Sequence, residues 1–522
     1  MHAGPSQSRI WPGNKGKVRI GGCQISAAGR YPGIAVQTAC AACLRPDWKP
    51  SGGVMTGLGR TSPRMTVVVS DERPRECGVS EVPRHARLGR KGTSETKPHE
   101  QAYESSVPFV AEVRNRTCCK RRRAWATGHQ PVTVLIAGAG IAGLAAAVAL
   151  GRRGVHVRVL EKRAALSEAG AGIQIGPNGI KALAALGLRE AITPFTFQPE
   201  RIAIFQARSG VRLTAIELAD TATRRYGAPY VTLHRSDLQA VLLAAARTTA
   251  GVALDLDFEL ADIEHTSDSL TVRAADGRSA SAAALIGADG LWSRVRQLRG
   301  GPPPVATGLA AYRTLIPRGR LSAPFDAPQV GLWIGAGAHV VHYPVRGGAL
   351  LNVVVIVKNA QLSDDWDAPG RIADVTPHVA RWSPGMRELL ALAPEWRRWT
   401  LYDLPEPWQW GKGNTILVGD AAHPLLPFLA QGAVMALEDA VVLAANWAEG
   451  SGRPAAALAS FERARLPRVS RVATTSRNNG TLYHQRGLIG AGRDLALQAM
   501  SPKRLLAGYD WLFGYDPGNA GA

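Results

Sequence analysis

The last three-quarters of this 522-residue chain contains no cysteine. The six cysteines of the sequence all lie within its first 119 residues: Cys23, Cys40, Cys43, Cys77, Cys118 and Cys119. Residues 131–522 therefore have no thiol nucleophile and no disulfide. They also show no Ser/His/Asp triad and no metal-ligating cluster, so catalysis there must depend on another kind of chemistry.

Long apolar runs are also missing from the sequence. No stretch of about 18 residues escapes interruption by glycine, arginine or another polar residue, so the sequence predicts no membrane-spanning helix. The N-terminus lacks the compact apolar core of a secretory signal peptide. We therefore expect a cytoplasmic protein that makes no contact with a membrane.

Acidic residues are scarce in the first quarter of the chain. Residues 1–130 hold 22 Lys and Arg against 9 Asp and Glu, whereas the other 392 residues hold 40 against 32. Cys40 and Cys43 have the C-x-x-C spacing of one ligand pair in a zinc site, but no second pair or histidine cluster completes the site. The basic run Lys120–Arg123 suits nucleic acid or an acidic partner.

We prefer a third interpretation of residues 1–130, a disordered tail, because the segment is rich in Gly, Pro, Ser and Arg and has little periodicity. Its composition also suits translated upstream sequence. We therefore hypothesise that the segment is not native and that translation starts near Val132.

An ordered pattern begins at Val132 with VTVLIA, a short apolar run typical of a buried parallel strand. The run leads into GAGIAG, then into an alanine- and leucine-rich helix that extends to about Arg153. A second strand, VHVRVL, follows and ends at Glu161. Strand, glycine turn, helix, strand and acid together form the unit that binds a dinucleotide.

Each residue type of this unit has a physical role. Gly138 permits a tight turn, Gly140 lets the backbone approach a pyrophosphate, and Gly143 lets the helix pack closely on the strand. The N-terminus of the helix offers free N–H groups to the phosphates. Glu161, 23 residues after Gly138, can bind ribose hydroxyls, which disfavours NADP at this site. The unit alone does not distinguish NAD from FAD.

Two stretches further along the chain distinguish the two cofactors. LIGADGLWSRVR, Leu285–Arg296, is an apolar strand that ends in Asp-Gly, and TILVGDAAHPLL, from Thr415, is a strand that ends in Gly-Asp. With these motifs in this order, the chain from about Val132 to Pro517 resembles the FAD-dependent aromatic hydroxylases. This family of single-component flavoprotein monooxygenases includes salicylate, 3-hydroxybenzoate and 6-hydroxynicotinate hydroxylases.

The resemblance implies an α/β fold with a Rossmann-like FAD-binding domain, an inserted α+β substrate domain and a C-terminal helical segment. Between about Gly308 and Pro405 strands with glycine turns replace the βαβ rhythm, as an inserted sheet requires. The expected ranges are 1–130 for the disordered or non-native extension, 131–307 and 405–470 for the FAD-binding domain, 308–404 for the substrate-binding domain, and 471–522 for a C-terminal helix and closing turn.

The resemblance also implies which residues hold FAD. Asp420 would bind the ribityl chain, and Asp289 would lie near the pyrophosphate and assist both FAD and the nicotinamide donor. Arg235 would contact the flavin, and Arg163 and Gln174 would lie beside the adenosine and the isoalloxazine. The expected FAD-binding residues are Gly138, Gly140, Ile141, Ala142, Gly143, Glu161, Lys162, Arg163, Gln174, Arg235, Asp289, Asp420, Gly432 and Ala433.

A helix that begins near Gly432 would direct its positive end at the flavin. Negative charge on the reduced flavin would be stabilised there, which would raise the reduction potential. No second Rossmann unit is visible for NADH or NADPH. This absence suits the family, in which the nicotinamide docks transiently in a surface groove.

The second sheet supplies the expected catalytic side chains. Along HVVHYP, the two-residue period of a strand puts His339, Val341 and Tyr343 on one face and Val340 and His342 on the other. His339 and Tyr343 match the H-x-x-x-Y spacing that the family uses for phenolic acids. A flavin C4a-hydroperoxide is an electrophile, so a histidine with a pKa near the working pH can activate the ring by drawing the phenol proton away.

The loop after the Gly-Asp motif contributes further expectations. By the same resemblance, Pro424 is a candidate catalytic residue that shapes the space where O₂ meets the flavin. His423 is expected to be structural. Phe428 and Leu429 stand where the family often carries a tyrosine or methionine, and this departure leaves the fine substrate preference open.

The resemblance implies a monooxygenase that inserts one oxygen atom into a salicylate-, hydroxybenzoate- or hydroxynicotinate-like acid, with NAD(P)H and O₂. Two alternatives stay open: a flavin-dependent dehydrogenase or epoxidase, and a nucleic-acid or partner-binding protein that acts through the basic N-terminus. Under the preferred interpretation we expect a monomer or homodimer that does not bind nucleic acid. The ring, the position hydroxylated and the nicotinamide remain open.

Overall fold

A computed structural model describes residues 17–20, 23–26, 134–166, 171–358, 367–405, 408–450 and 453–519. The chain forms two compact units, Met1–His129 and Gln130–Ala522. In the first unit the description covers one antiparallel pair of short strands. The expectation of a disordered or non-native extension otherwise concerns residues outside the described ones. Among the described helices, none is both long and apolar enough to cross a membrane.

Strands β1 and β2 lie in the first unit, and all the other described elements lie in the second. The described strands are β1 (Lys17–Ile20), β2 (Cys23–Ser26), β3 (Val134–Ala137), β4 (Val157–Glu161), β5 (Gly172–Ile175), β6 (Arg201–Gln206), β7 (Arg212–Glu217), β8 (Val231–His234), β9 (Val252–Leu256), β10 (Leu260–His265), β11 (Leu270–Ala274), β12 (Ser279–Ala282), β13 (Ala284–Gly287), β14 (Val305–Pro317), β15 (Gln329–Gly335), β16 (Ala338–Val345), β17 (Leu350–Lys358), β18 (Ala368–Gly370), β19 (Trp396–Asp403), β20 (Gly411–Lys412) and β21 (Thr415–Leu417). The described helices are α1 (Ile141–Gly151), α2 (Pro177–Ala185), α3 (Arg189–Ile192), α4 (Ala219–Tyr226), α5 (Arg235–Thr248), α6 (Arg294–Leu298), α7 (Ile372–Val379), α8 (Pro384–Ala391), α9 (Gly432–Glu449), α10 (Pro454–Tyr483), α11 (Gly487–Ala499), α12 (Pro502–Ala507) and α13 (Asp510–Phe513).

The first large sheet has six strands in the order β20-β21-β13-β3-β4-β9. Its five strands from β21 to β9 are parallel, and β3 is buried along its whole length, as its unbroken apolar run predicts. Helix α1 packs against α5 and α9. The carboxyl ends of β3, β13 and β21 lie side by side, so the glycine turn, the Asp-Gly turn and the Gly-Asp turn meet at one edge. The expected Rossmann-like fold is confirmed.

The second large sheet has eight strands in the order β18-β19-β14-β17-β16-β15-β6-β7. Strands β6 and β7 precede the range 308–404 that the sequence predicts for the substrate domain. They join this sheet because β6 pairs in parallel with β15, with Arg201 opposite Gln329. A pairing between segments so far apart leaves no local pattern in the sequence. The long helix α10 likewise runs across the expected boundary at residue 470.

The two faces of β16 point into different cores. Val340 lies in a core that α7 and α8 cover, and His342 is completely buried there beside Phe325, with ring centroids 5.3 Å apart. Tyr343 belongs instead to the core of the parallel sheet. His339, Val341 and Tyr343 therefore face the FAD-binding domain, which is the arrangement that a two-residue period dictates.

A buried ion cluster (His423, Glu438, Asp439, Arg465 and Arg468) joins α9 to α10 and to the Gly-Asp turn. Arg465 donates from Nε to Asp439 and from Nη1 to Glu438, both at 2.8 Å. Arg468 donates from Nε to Glu438 at 2.6 Å. Both carboxylates and the Arg465 side chain are almost completely buried, so each charge needs its partner.

We expect Arg465→Met to lower the free energy of unfolding by about 3 kcal/mol, because it leaves two buried carboxylates without this partner. The measurement is urea denaturation of the full chain. Arg463→Met, an exposed change in the same helix, is the matched control and should cost less than about 0.5 kcal/mol. Equal losses in the two variants would contradict this account of the cluster.

His342 should make the fold sensitive to acid. Burial lowers the pKa of His342 to about 3, whereas an unfolded chain restores a pKa of about 6.5. The unfolded state alone binds the proton between these values, so stability is lost as the pH falls through this window. We expect His342→Leu to remove about 2 kcal/mol of the stability difference between about pH 7 and pH 5.

Urea denaturation at the two pH values measures this difference. Val340→Ala is the matched control, because Val340 lies in the same core and does not titrate. Its loss of stability should be the same at both pH values. An undiminished acid effect in His342→Leu would show that other groups cause it.

Candidate active site

The glycine turn after β3 is folded tightly against the neighbouring Asp-Gly turn. Gly138 has φ +100°, and a Cβ there would lie 2.5 Å from the Ala288 carbonyl oxygen. A Cβ on Gly143 would lie 1.9 Å from the Gly138 carbonyl oxygen. Both positions therefore require glycine, the first for its backbone angle and both for space. This packing brings Asp289, which follows Ala288, to the edge of the turn.

The Glu161 side chain, at the end of β4, forms a hydrogen bond with the same turn. Its Oε2 accepts a hydrogen bond from the Ala139 N–H at 2.8 Å, and its Oε1 accepts one from the Arg163 N–H at 3.0 Å. The side chains of Lys162 and Arg163 are exposed. Both Glu161 oxygens retain a second lone pair, so the carboxylate can still accept from ribose hydroxyls.

The backbone around this edge leaves room for a dinucleotide. At Gly140, Gly290 and Gly432, nothing lies within 4 Å of the place that a Cβ would occupy. Helix α1, which begins Ile141-Ala142, and helix α9, which begins Gly432-Ala433, have no side-chain cap. Their first N–H groups are thus available to anionic groups of a ligand. The open glycines and uncapped helices fit FAD.

Asp289 is held by its own loop. Its carboxylate accepts hydrogen bonds from the Ser293 hydroxyl and, at 3.0 Å, from the Val295 N–H at the start of α6. Burial raises the pKa of Asp289, while these bonds oppose the rise. In this structure the residue shapes the Asp-Gly turn beside Gly138, and a pyrophosphate contact would add to that role.

The Gly-Asp turn after β21 rests on α1 and α9. Gly419 has φ +57°, and a Cβ there would lie 2.8 Å from the Ala142 Cβ. Asp439 accepts from the Gly419 N–H at 3.0 Å and from His423 Nε2 at 2.7 Å. Asp420 is half-buried at this turn, between the starts of two uncapped helices. His423 therefore has the structural role that its spacing suggested.

The charge of Asp439 is stabilised by its partners. Burial alone would raise the pKa of Asp439, but His423, Arg465 and the Gly419 N–H outweigh burial and hold this pKa well below its usual range. The carboxylate thus stays ionised and fixes the turn. Pro424 follows His423 and is buried.

The antiparallel pair of β5 and β8 lies between the FAD-binding domain and the second sheet, at a boundary that we call the seam. The Gly172 N–H donates to the Asn352 Oδ1 at 2.9 Å, and a Cβ on Gly172 would lie 2.7 Å from the Tyr343 ring. Arg235, half-buried, follows β8 and opens α5, and its N–H donates to the Ala171 carbonyl at 2.8 Å. The Arg235 side chain therefore starts beside this seam.

Gln174 lies at the centre of the seam. The Tyr230 hydroxyl donates to the Gln174 Oε1 at 2.8 Å. Burial raises the pKa of Tyr343, and a side-chain hydrogen bond with Gln174 opposes the rise. Tyr343 therefore stays protonated near neutral pH and can donate a hydrogen bond to a ligand.

Four tyrosines between this point and His339 influence one another's pKa in pairs. The pKa of Tyr230 is raised mainly by burial and further by the nearby Tyr343 and Tyr509. The pKa of Tyr483 is likewise raised mainly by burial and further by the nearby Tyr509 and Tyr230. We call Tyr230, Tyr343, Tyr483 and Tyr509 the tyrosine cluster. All four stay protonated near neutral pH and can donate hydrogen bonds.

His339 lies further along the same face of β16, four residues from Tyr343 and thus about 13 Å away. Its Nδ1 is 2.8 Å from the Nε2 of His484. The Phe428 and Tyr483 rings each lie 5.4 Å from the His339 ring, between centroids. The Gly-Asp loop and the end of α10 therefore meet at this histidine.

The pKa of His339 differs from the sequence-based expectation. Burial, then the neighbouring His484, lowers the pKa of His339 well below 6.5. The expectation of a pKa near the working pH is therefore wrong for this structure. The physical reason is that 1% exposure leaves a protonated ring without water.

Four side chains near this site escaped the sequence-based interpretation: Tyr230, Tyr483, His484 and Tyr509. The letters LYH near the end of the chain suggested only a C-terminal helix. A polar aromatic pair at the end of a long amphipathic segment was the available signal, but nothing local tied it to His339.

Residues 131–476, more than half of the chain, match the family model described as the FAD binding domain. A 3-hydroxybenzoate 6-hydroxylase from Klebsiella oxytoca is 36% identical over 386 residues, which are 74% of this chain and 97% of the relative. The chain belongs to the FAD-dependent aromatic hydroxylases. FAD is therefore the cofactor of this hydroxylase.

Two further comparisons agree with this membership. A 3-amino-4-hydroxybenzoate 2-monooxygenase from Streptomyces platensis is 34% identical, over 76% of this chain and 98% of the relative. The crystal structure of Klebsiella pneumoniae HpxO with FAD and uric acid is 29% identical and aligns with TM-score 0.64, over 72% of this chain and 95% of that chain. The match thus extends through both large sheets of the hydroxylase.

The open space at Gly140 yields a prediction about FAD. Gly140 has ordinary extended angles, φ −76° and ψ −172°, so alanine fits the backbone, but its methyl group would enter the space proposed for the pyrophosphate. We expect Gly140→Ala to weaken FAD binding at least about tenfold, or about 1.4 kcal/mol. The melting temperature of the apoprotein should not change. Fluorescence titration of the apoprotein with FAD measures the affinity.

Gly492→Ala is the control for this experiment. At Gly492, too, nothing lies within 4 Å of the place that a methyl group would occupy, but this residue lies in α11 and outside the proposed site. This variant should bind FAD as the unmodified protein does. Equal affinity of the Gly140→Ala variant would place the pyrophosphate elsewhere.

Proposed function

We propose that this protein hydroxylates an aromatic acid with a phenolic hydroxyl, a hydroxybenzoate in the first place, with NAD(P)H and O₂. The main support is that His339 and Tyr343 share the buried face of β16 that is turned toward the FAD-binding domain. The Tyr343 ring packs against Gly172 on β5, 2.7 Å from the place that a Cβ would occupy. Both curated relatives described above are named for a hydroxybenzoate with a phenolic hydroxyl.

FAD, when bound, supplies the electron transfer from the nicotinamide and the activation of O₂. The residues of the chain bind and orient the acid and move its phenolic proton. His339 is neutral, because burial lowers its pKa, so it can accept the proton from a hydroxyl. Removing this proton enriches the ring carbons ortho and para to the oxygen in electrons.

Tyr343 has the complementary role. Burial raises its pKa, so it remains a hydrogen-bond donor. It would orient the acid while His339 handles the proton. Pro424, buried after the Gly-Asp turn, would limit the space beside the flavin, and Asp420, Glu161 and Arg235 would hold FAD.

The test of this function is oxygen incorporation. Purified enzyme with FAD should oxidise NADH or NADPH faster when 3-hydroxybenzoate is added, and mass spectrometry should find one ¹⁸O atom from ¹⁸O₂ in the product. A hydroxypyridine carboxylate in place of the benzoate tests the hydroxynicotinate-like alternative. Turnover of these acids without incorporated oxygen would favour a dehydrogenase instead.

The basic N-terminus offers the second candidate function, and salt-sensitive binding of DNA or RNA would support it. Binding that disappears when residues 1–130 are deleted would favour this candidate. Loss of hydroxylation on the same deletion would instead tie the segment to the enzyme.

The two β16 side chains give a mutational prediction. We expect His339→Gln to lower kcat for hydroxylation about a hundredfold, because general-base contributions have this size. Tyr343→Phe should raise KM more than it lowers kcat, because it removes an orienting donor. His342→Leu is the matched control, since it lies on the opposite face of the same strand and should leave both constants near their original values. A comparable loss of kcat in His342→Leu would reject this assignment.

A further inference from the structure

Two histidines from distant parts of the chain form a direct contact. His339 on β16 and His484, which caps the C-terminus of α10, are 145 residues apart in sequence, and their Nδ1 and Nε2 atoms are 2.8 Å apart. The side chains are 1% and 8% exposed. One ring must donate and the other must accept, since each neutral imidazole carries one N–H.

The surroundings of the pair differ on its two sides. Phe428 covers both rings, with centroids 5.4 Å from His339 and 6.3 Å from His484. His484 also lines a cavity of about 440 Å³ together with Lys358, Gln485 and Arg486. His339 does not line this cavity. The outer histidine thus borders a space large enough for many water molecules, while the inner one faces the FAD-binding domain.

We infer that His484 relays the phenolic proton of the substrate between His339 and water in this cavity. This inference rests on the proposed function, because it needs a phenolic acid at His339. The structure assigns His484 as a positioning and relay residue, since it acts through His339.

The relay balances without any further reactant. The substrate O–H bond breaks and its proton binds to the His339 Nε2. The His339 Nδ1 proton moves to the His484 Nε2, and the His484 Nδ1 proton leaves to water. Both rings end neutral with their tautomers exchanged and still hydrogen-bonded, so the reverse path can return a proton to the product.

The charges around the pair suit transfer rather than storage of a proton. Burial lowers the pKa of His484 to about 4, and the positive Lys358 on β17 and Arg493 on α11 contribute. The cavity wall adds Arg486 and the ion pair of Arg477 with Asp403. Near neutral pH a proton is therefore not retained on His484, and His339 does not keep it either, because burial lowers its pKa too.

The test compares His484→Gln with the unmodified holoenzyme, using 3-hydroxybenzoate as substrate. The glutamine side chain can still form a hydrogen bond with His339 but cannot relay a proton. The dissociation constant of 3-hydroxybenzoate, measured from the change in FAD absorbance on binding, should stay within about twofold of the value for the unmodified enzyme. The single-turnover rate of product formation should fall about tenfold or more at neutral pH, and its solvent deuterium isotope effect should rise.

A second variant separates the relay from packing. In His484→Ala, free imidazole should restore at least half of the lost rate, because it can occupy the vacated space beside His339. Gln485→Ala is the matched control, since Gln485 lines the same cavity, whereas the hydrogen bond of His339 is to His484. This variant should behave as the unmodified enzyme and show no effect of imidazole.

The outcomes discriminate between the two proposals. An unmodified enzyme that hydroxylates 3-hydroxybenzoate, with a His484→Gln variant equally fast and equally isotope-sensitive, overturns the relay alone. A slow His484→Ala variant that imidazole does not rescue shows a purely structural role and also overturns it. An unmodified enzyme that hydroxylates no phenolic acid overturns the proposed function and the relay together.

Discussion

The edge of the parallel sheet where the three turns meet depends on the buried carboxylate of Asp439. This carboxylate accepts from the Gly419 N–H, from His423 and from Arg465, so one buried charge joins the Gly-Asp turn, the loop behind it and the helix α10. Two adjacent acids in one helix repel each other unless cations compensate them. Glu438 and Asp439 can therefore lie beneath the turn only because α10 brings its arginines there.

The same cluster sets where α9 begins. Asn178 donates to Glu438 at 2.8 Å and to the Gln431 side chain, in the residue before α9, at 2.9 Å. The start of α9 is thus held from below by ion pairs and from the side by an amide, while its N–H groups remain uncapped. Rigid support of an open helix terminus is what a preorganised anion site requires. The edge proposed for FAD is therefore built largely from backbone, and the side chains proposed for substrate chemistry belong to the second sheet.

Short sequence patterns predicted those features that are formed by residues close together in the chain. The unit from Val134 to Glu161 combines a buried strand, a glycine turn and a helix, each visible within a few residues, and the facing of His339 and Tyr343 follows from strand geometry. The membership of β6 in the second sheet and the contact of His339 with His484 join segments more than 100 residues apart. Such contacts are set by packing, and one sequence shows no trace of them. Asp289 shows a third case, because its motif was visible but its bonds to α6 were not.

The replacement of a polar or flexible family residue by Phe428 takes on a physical meaning beside the two histidines. A tyrosine at this place would bring a hydroxyl to compete for the imidazole nitrogens, and a methionine would leave a looser wall. The phenylalanine ring covers both imidazoles and offers neither a donor nor an acceptor, while His484 still borders the cavity. Exclusion of water lowers the pKa of His339 and makes a lasting positive charge on it costly. Under the proposed mechanism, a base in this place is useful only if the proton moves on, and the proposed exit is His484. The feature that left substrate preference open in the sequence is thus coupled to the path of the proton.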